Sequence, residues 1–334
     1  MRRDARPSVA RSPSMNRRTF LMRAAAGVAA ARLGSAGGAS ATSAGPLVLV
    51  TADTEGHVAV VNAATGRILR RLGTADGPRS IERVAGAAIV AHTELGRITL
   101  IDTQTFERQR MLSRFAEPRY TAAHPDGRHA LISDSGLGEV IVLDVARRRV
   151  VARVSVGGKA RHLTIDPTGR RLWTALGTKA ERIAIVDVSD PTTPRLIQTI
   201  TAPFLAHDVV FAPTDDRVWV TSGDRGALAI YDGSTQLVVR RLAALAPPQH
   251  LTFSERGRVA FVTSGDDASL RVHDLNGRLL RAAHVPEGSY NVSRGNGHVF
   301  TPSLDRGTLC MLDRNGSVRR TVRVAAAAHD ACAV

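Results

Sequence analysis

The chain is poor in several residue types at once. It holds 2 cysteines, 2 tryptophans, 3 tyrosines and 8 phenylalanines in 334 residues, so aromatics make up only 4%. Two cysteines exclude a disulfide-rich scaffold. So low an aromatic content leaves Val, Ile, Leu and Ala to fill the core. Lysine is nearly absent: Lys159 and Lys179 are the only two, and arginine carries almost all the positive charge. No apolar run is long enough for a spanning helix, so no transmembrane segment is expected. Gly-x-Ser-x-Gly elbows, phosphate loops and Cys–His pairs are missing too, which removes the common signatures of hydrolases and nucleotide enzymes.

What is present is an ordinary globular composition, 43% hydrophobic and 22% charged, with 29 glycines and 15 prolines spread evenly along the chain. Even punctuation of that kind suits many short turns. The net charge is +15, and about half of it lies in residues 1–41, where eight arginines face Asp4 alone. The arginines farther on give no nucleic-acid signal, because no aromatic residues interleave with them to stack bases.

Residues 1–44 read as an export signal and leader. Met15 offers a second start, and "NRRTFL" (16–21) resembles the twin-arginine export motif. A weakly apolar Ala/Gly stretch follows, broken by Arg32, then Ala39-Ser40-Ala41 as an A-x-A cleavage site. The resemblance implies a periplasmic or extracellular protein, exported folded.

From residue 45 to 334 one unit recurs. An apolar triplet ending in Asp or Asn stands at Asn62, Asp102, Asp144, Asp187, Asp232, Asp274 and Asp313, at separations of 40, 42, 43, 45, 42 and 39 residues. Each period reads as four short strands: in 160–200, "HLTID", "RRLWTALG", "RIAIVDV" and "PRLIQTI", divided by Gly, Pro and Asp turns. Four-stranded sheets repeated radially make an all-β fold, a seven-bladed β-propeller. The chain begins at "PLVLVTAD", which matches the second strand of the unit, and ends at "HDACAV", which matches the first. The two termini are therefore expected to pair in one blade and close the ring. The fourth strands, such as "RRRVVARV" (147–154) and "VRRTVRV" (318–324), carry arginines that discourage edge-to-edge association. Cys310 and Cys332 fall in different blades and are expected to be buried and unbridged.

The segments "VAVVNAATGRILRRL" (58–72), "VIVLDVARRRVVARVSVGGKARHLTIDPTGR" (140–170) and "IAIVDVSDPTTPRLIQTI" (183–200) resemble the YVTN-type, YncE-like β-propeller repeats. The resemblance covers essentially everything after the leader. It identifies a fold and leaves the activity open.

The start of each inner strand opens on the mouth of the central channel. Counting back five residues from the Pro-x-Gly turn, or its equivalent, aligns Tyr120, His162, Asp208, His250 and Tyr290, with His329 or Asp330 in the closing strand. One residue earlier stand Arg119, Arg161 and His207. Four histidines, His162, His207, His250 and His329, are thus expected on one rim. Imidazole is a ligand for Zn or Cu, and the neutral ring is available near pH 7. None has helical H-x-x-x-H spacing, so the case rests on convergence alone. The expected ligand-binding set is Arg119, Tyr120, Arg161, Asp208, Tyr290 and Asp330. The reading is an exported binding protein that holds a ligand, a Zn or Cu ion in its sharpest form, at a His-rich channel mouth. Two alternatives stand beside it. One is a propeller lactonase, with Arg119, Arg161 and Glu55 holding an anionic substrate. The other is a protein-interaction scaffold without metal. The partner is a small ligand or another protein, with no specific nucleic acid. His124, His273 and the repeated aspartates are expected to be turn residues.

Overall fold

The computed structural model describes residues 45–334; the leader assigned to 1–44 lies outside them. All regular structure among the described residues is β-strand, and no helix is long and apolar enough to cross a membrane. Strands follow one another in antiparallel meanders. Pro78–Val84, Ala87–His92, Arg97–Asp102 and Arg108–Leu112 form one four-stranded sheet in chain order. Three further sheets of four repeat the pattern.

Two sheets depart from it. Leu47–Ala52, His57–Asn62 and Ile68–Gly73 are completed by the last strand, Ala328–Ala333, which pairs antiparallel with the first, Leu49 opposite Cys332. A seven-stranded sheet runs from Leu163–Ile165 to Val238–Ala243. It is joined by the 17-residue strand Arg195–Phe211, which serves as an outer strand at its start and an inner strand at its end. The sequence expectation had separated these two strands. The crossing segment Thr201–His207 contains no glycine, unlike "SVGGKA" (155–160) at the preceding crossing, and the chain stays extended.

Side chains alternate between the faces of each strand, and both faces are buried. Val48, Val50, Ala59 and Val61 pack with Phe300, Leu309 and Met311 of the preceding sheet. Leu49, Val58 and Val60 pack with Ile81, Ala88 and Val90 of the following one. Full burial of each valine, leucine, isoleucine, phenylalanine or methionine among them stabilises by roughly 1.5–3 kcal/mol. The two tryptophans fill wider gaps: Trp173 meets Tyr231 and Phe211 edge-on at 5.5 and 6.1 Å. The outer strands are largely exposed and arginine-rich, as in Val318–Arg323.

The repeated Asp/Asn residues hold turns. Asp102 Oδ1 accepts the backbone N–H groups of Gln104 and Thr105, and Asp313 Oδ1 those of Asn315 and Ser317. His124 Nε2 faces the Gly169 carbonyl, and His273 Nδ1 that of Gly277. Cys310 and Cys332 are buried and unbridged.

Candidate functional site

Hydroxyl groups on the second strands set the height of the inner strands. Thr221 Oγ1 accepts the N–H of Asp208 at 2.9 Å and donates to the Gln249 carbonyl at 2.7 Å. Thr51 Oγ1 does the same between the Asp330 N–H and the Arg79 carbonyl. Ser133 Oγ receives the Tyr120 N–H, and Thr301 Oγ1 donates to the Asn291 carbonyl. These bonds bring Tyr120, Asp208, His250, Asn291 and Asp330 to one level, around a cavity of about 150 Å³ that Glu82 also lines.

Three of the four expected histidines meet one another beside it, and of these His250 lines the cavity. The imidazoles of His162, His207 and His250 offer nitrogens all within 4.8 Å of one another. Their ring centroids are 4.4, 4.7 and 5.1 Å apart. The Tyr120 ring lies tilted over His162, with centroids 4.3 Å apart. His207 Nδ1 lies 2.8 Å from the Thr178 carbonyl. A carbonyl only accepts, so Nδ1 carries the proton and Nε2 keeps its lone pair. His250 Nδ1 faces Asp208 Oδ2 at 3.5 Å. His162 is 1% exposed, and neither of its ring nitrogens has a partner. Buried polar groups are nearly always satisfied, so an orphaned imidazole between two others is conspicuous.

Burial and neighbouring charge keep two of these rings, His162 and His207, neutral. Burial, then the charges of His207, His250 and Arg161, hold His162 well below the usual histidine range. Burial and His250 push His207 down to about 3. The opposite holds for the acids beneath: burial raises Glu82 to about 8 and Asp330 to about 6, against the backbone N–H bonds that favour their charged forms.

His329 stands apart from the trio. Its Nδ1 faces the Arg79 carbonyl at 2.9 Å and Asn291 Nδ2 at 3.3 Å, and its nitrogens are not among those that lie within 4.8 Å of one another. Tyr290 is also displaced from the level assigned to it. Its hydroxyl donates to Asp266 at 2.9 Å on the rim, and Asn291 takes the inner position. Asp208 and Asp330 each accept two backbone N–H groups, Val209 with Leu251 and Ala331 with Ile81. Arg119 pairs with Glu117 at 3.2 Å, whereas Arg161 sits against Tyr120. Glu55, assigned to the lactonase alternative, accepts the Ala326 N–H at 2.6 Å. The sequence reading missed Asn291 and Glu82; a glutamate one position beyond the apolar Ile81 on an inner strand was the available signal for the latter.

Strand-only meanders packed face to face, with inner strands gathered around a polar cavity, define a β-propeller. The family model described as YNCE-like beta-propeller matches residues 16–235. The chain belongs to that family. The protein YncE of Salmonella typhimurium is 23% identical over 194 residues, 56% of this chain and 54% of its own length, so the match spans about half of that relative. Among solved structures, hydrazine synthase of Kuenenia stuttgartiensis superposes with a TM-score of 0.71 at 14% identity, covering 79% of this chain and 91% of that one. Apo AztD of Citrobacter koseri gives 0.68 at 11% identity, covering 86% and 97%. At such identities the likeness is one of fold.

Proposed function

We propose that the protein is an exported binding protein, a seven-bladed propeller over residues 45–334 closed by its terminal strands, that holds a Zn or Cu ion on His162, His207 and His250. The observation that carries this is the orphaned, fully buried His162 ring set among two further imidazoles with nitrogens within 4.8 Å. An ion about 2.0–2.1 Å from each nitrogen places the nitrogens roughly 3.3 Å apart in a tetrahedral set. Closing from within 4.8 Å to that spacing would need the rings to rotate toward one another. The carbonyl behind His207 and the carboxylate behind His250 are the partners that orient imidazole ligands and fix their tautomers. Three protein ligands leave a fourth position for the cargo's own ligand or water.

Export by the twin-arginine route belongs to the same reading and rests on Arg17 and Arg18 in "NRRTFL" (16–21). The blade count rests on the seven Asp/Asn turns, with the seven-stranded sheet counted as two blades that share Arg195–Phe211. The experiment is metal analysis by plasma mass spectrometry after loading with Zn or Cu and desalting. One equivalent is expected in the wild type and less than a tenth in a His162→Ala, His250→Ala double variant. Equal metal in both, or none in either, ends the proposal.

A further inference from the structure

Arg79, Arg119 and Arg161 occupy equivalent rim positions, one residue before Ser80, Tyr120 and His162 on three successive inner strands. All three act on one another or on the same neighbours: Arg79 and Arg119 both repel the charge of Arg161, and Arg79 and Arg161 both bear on His329. Two of them have counter-ions. Arg79 meets Asp53 at 3.2 Å, and Arg119 meets Glu117 at 3.2 Å. Arg161 has no carboxylate within ion-pair distance among the described residues. Its Nε is buried without a partner, as is that of Arg119.

The remaining rim groups do not supply the missing charge. The imidazoles of the rim supply no negative charge in either protonation state. The carboxylates of Asp208 and Asp330 are turned to backbone N–H groups. Glu94 lines the outer cavity of about 640 Å³ over Arg79 and Arg119, but it is exposed to solvent. A guanidinium cannot shed its proton at working pH, and a desolvated charge without a partner is costly. Among the described residues the Tyr120 side chain is the one hydrogen-bonding neighbour of the Arg161 guanidinium, an uncharged one, and a planar guanidinium with its Nε–H unpartnered suits two oxygens of one anion.

We infer that Arg161, flanked by Arg79 and Arg119, is the anion subsite of this mouth and takes a small oxyanion of the carboxylate or phosphate class directly beside His162. The inference deepens the ligand-binding reading above: an anion held there also faces the open position of an ion on the three histidines, so cargo would arrive as an ion with its oxyanion. The Arg161 site itself stands without the metal.

The test is calorimetric titration of the full chain with inorganic phosphate and, separately, with acetate, at ionic strength matched with sodium chloride, with and without one equivalent of Zn. One saturable site is expected for at least one probe, weakened at least tenfold in Arg161→Gln and unchanged in Arg240→Gln on an exposed outer strand. Should Arg161→Gln fail to fold, Arg161→Lys keeps the charge but loses the fork, and a loss of several-fold is expected. Saturable phosphate or acetate binding without Zn uptake overturns the metal reading and leaves this one standing. Zn uptake with no saturable anion binding, or with equal anion binding in wild type and both Arg161 variants, overturns the anion subsite alone.

Discussion

The Asp330 carboxylate accepts the backbone N–H of Ile81 at 3.0 Å, across 249 positions of sequence. Asp208 makes the same bond to the N–H of Leu251 at 3.1 Å, 43 positions on. Each aspartate stands on one inner strand and satisfies a backbone amide of another, so the two carboxylates tie strands around the cavity as well as facing it.

Truncating either acid leaves buried amides unsatisfied. Asp330→Ala and Asp208→Ala are expected to destabilise by about 1–3 kcal/mol each, while Asn, which keeps one acceptor oxygen, loses less. Urea unfolding midpoints check this, and an unshifted midpoint in both alanine variants would contradict the tying role.

Stability should peak near pH 6.5. The buried histidines have folded values below their ordinary 6.5, with His207 at about 3. Their contribution is complete above 6.5 and is lost as pH falls toward the folded values, where the unfolded chain binds protons that the native one does not. Glu82 works the other way. Its folded value of about 8 exceeds the ordinary 4.5, so its contribution is complete below 4.5 and is lost as pH rises through 8. Asp330, at about 6 against 3.8, does the same lower down. Thermal melts from pH 4.5 to 9 should trace a maximum, and Glu82→Gln should flatten its alkaline limb. An alkaline limb unchanged in that variant would remove Glu82 as its source.

Metal binding should separate the histidines. His207→Ala is expected to abolish stoichiometric Zn binding, while His329→Ala keeps it, because His329 lies outside the group of nitrogens within 4.8 Å of one another. Asp208→Asn, behind His250, should weaken Zn by about 10–100-fold. Competition against a chromophoric chelator gives all three values.

Both thiols should be silent in the folded protein. Cys310 is fully buried and Cys332 is 5% exposed, and burial pushes both thiol values up. A chromogenic disulfide reagent at pH 8 should react with neither until urea unfolds the chain, when both should appear together. Rapid labelling of the native protein would place one of them at the surface.

Gly307 sits at φ +62°, and a Cβ there would meet the carbonyl oxygens of Ala325 and Ala326. Its own carbonyl receives the N–H groups of Val324 and Ala325. Gly307→Ala should cost at least about 1 kcal/mol, read as a lower urea midpoint.

How far the sequence could be read varied with the range of the interaction. The Asp/Asn turns were legible because side chain and capped amide lie two to four residues apart, as at Asp102 and Gln104. The inner-strand alignment was legible where a Pro-x-Gly turn marks it and slipped by one at Tyr290. There the turn is Asn296–Gly297, both with positive φ and without proline, and counting back from Gly295 chose the wrong residue. The continuous strand through Thr201–His207 escaped because the regular spacing of the unit put a break there, although the segment has no glycine to make one.

Alternation of apolar and polar residues, the spacing of turns and the complementary ends of the chain were determined by the sequence itself, because each depends on neighbours along the backbone. Which imidazoles touch was decided only in three dimensions. His162, His207 and His250 come from different inner strands, and the packing of the sheets brings their nitrogens within 4.8 Å of one another while His329, on the closing strand, stays outside that group.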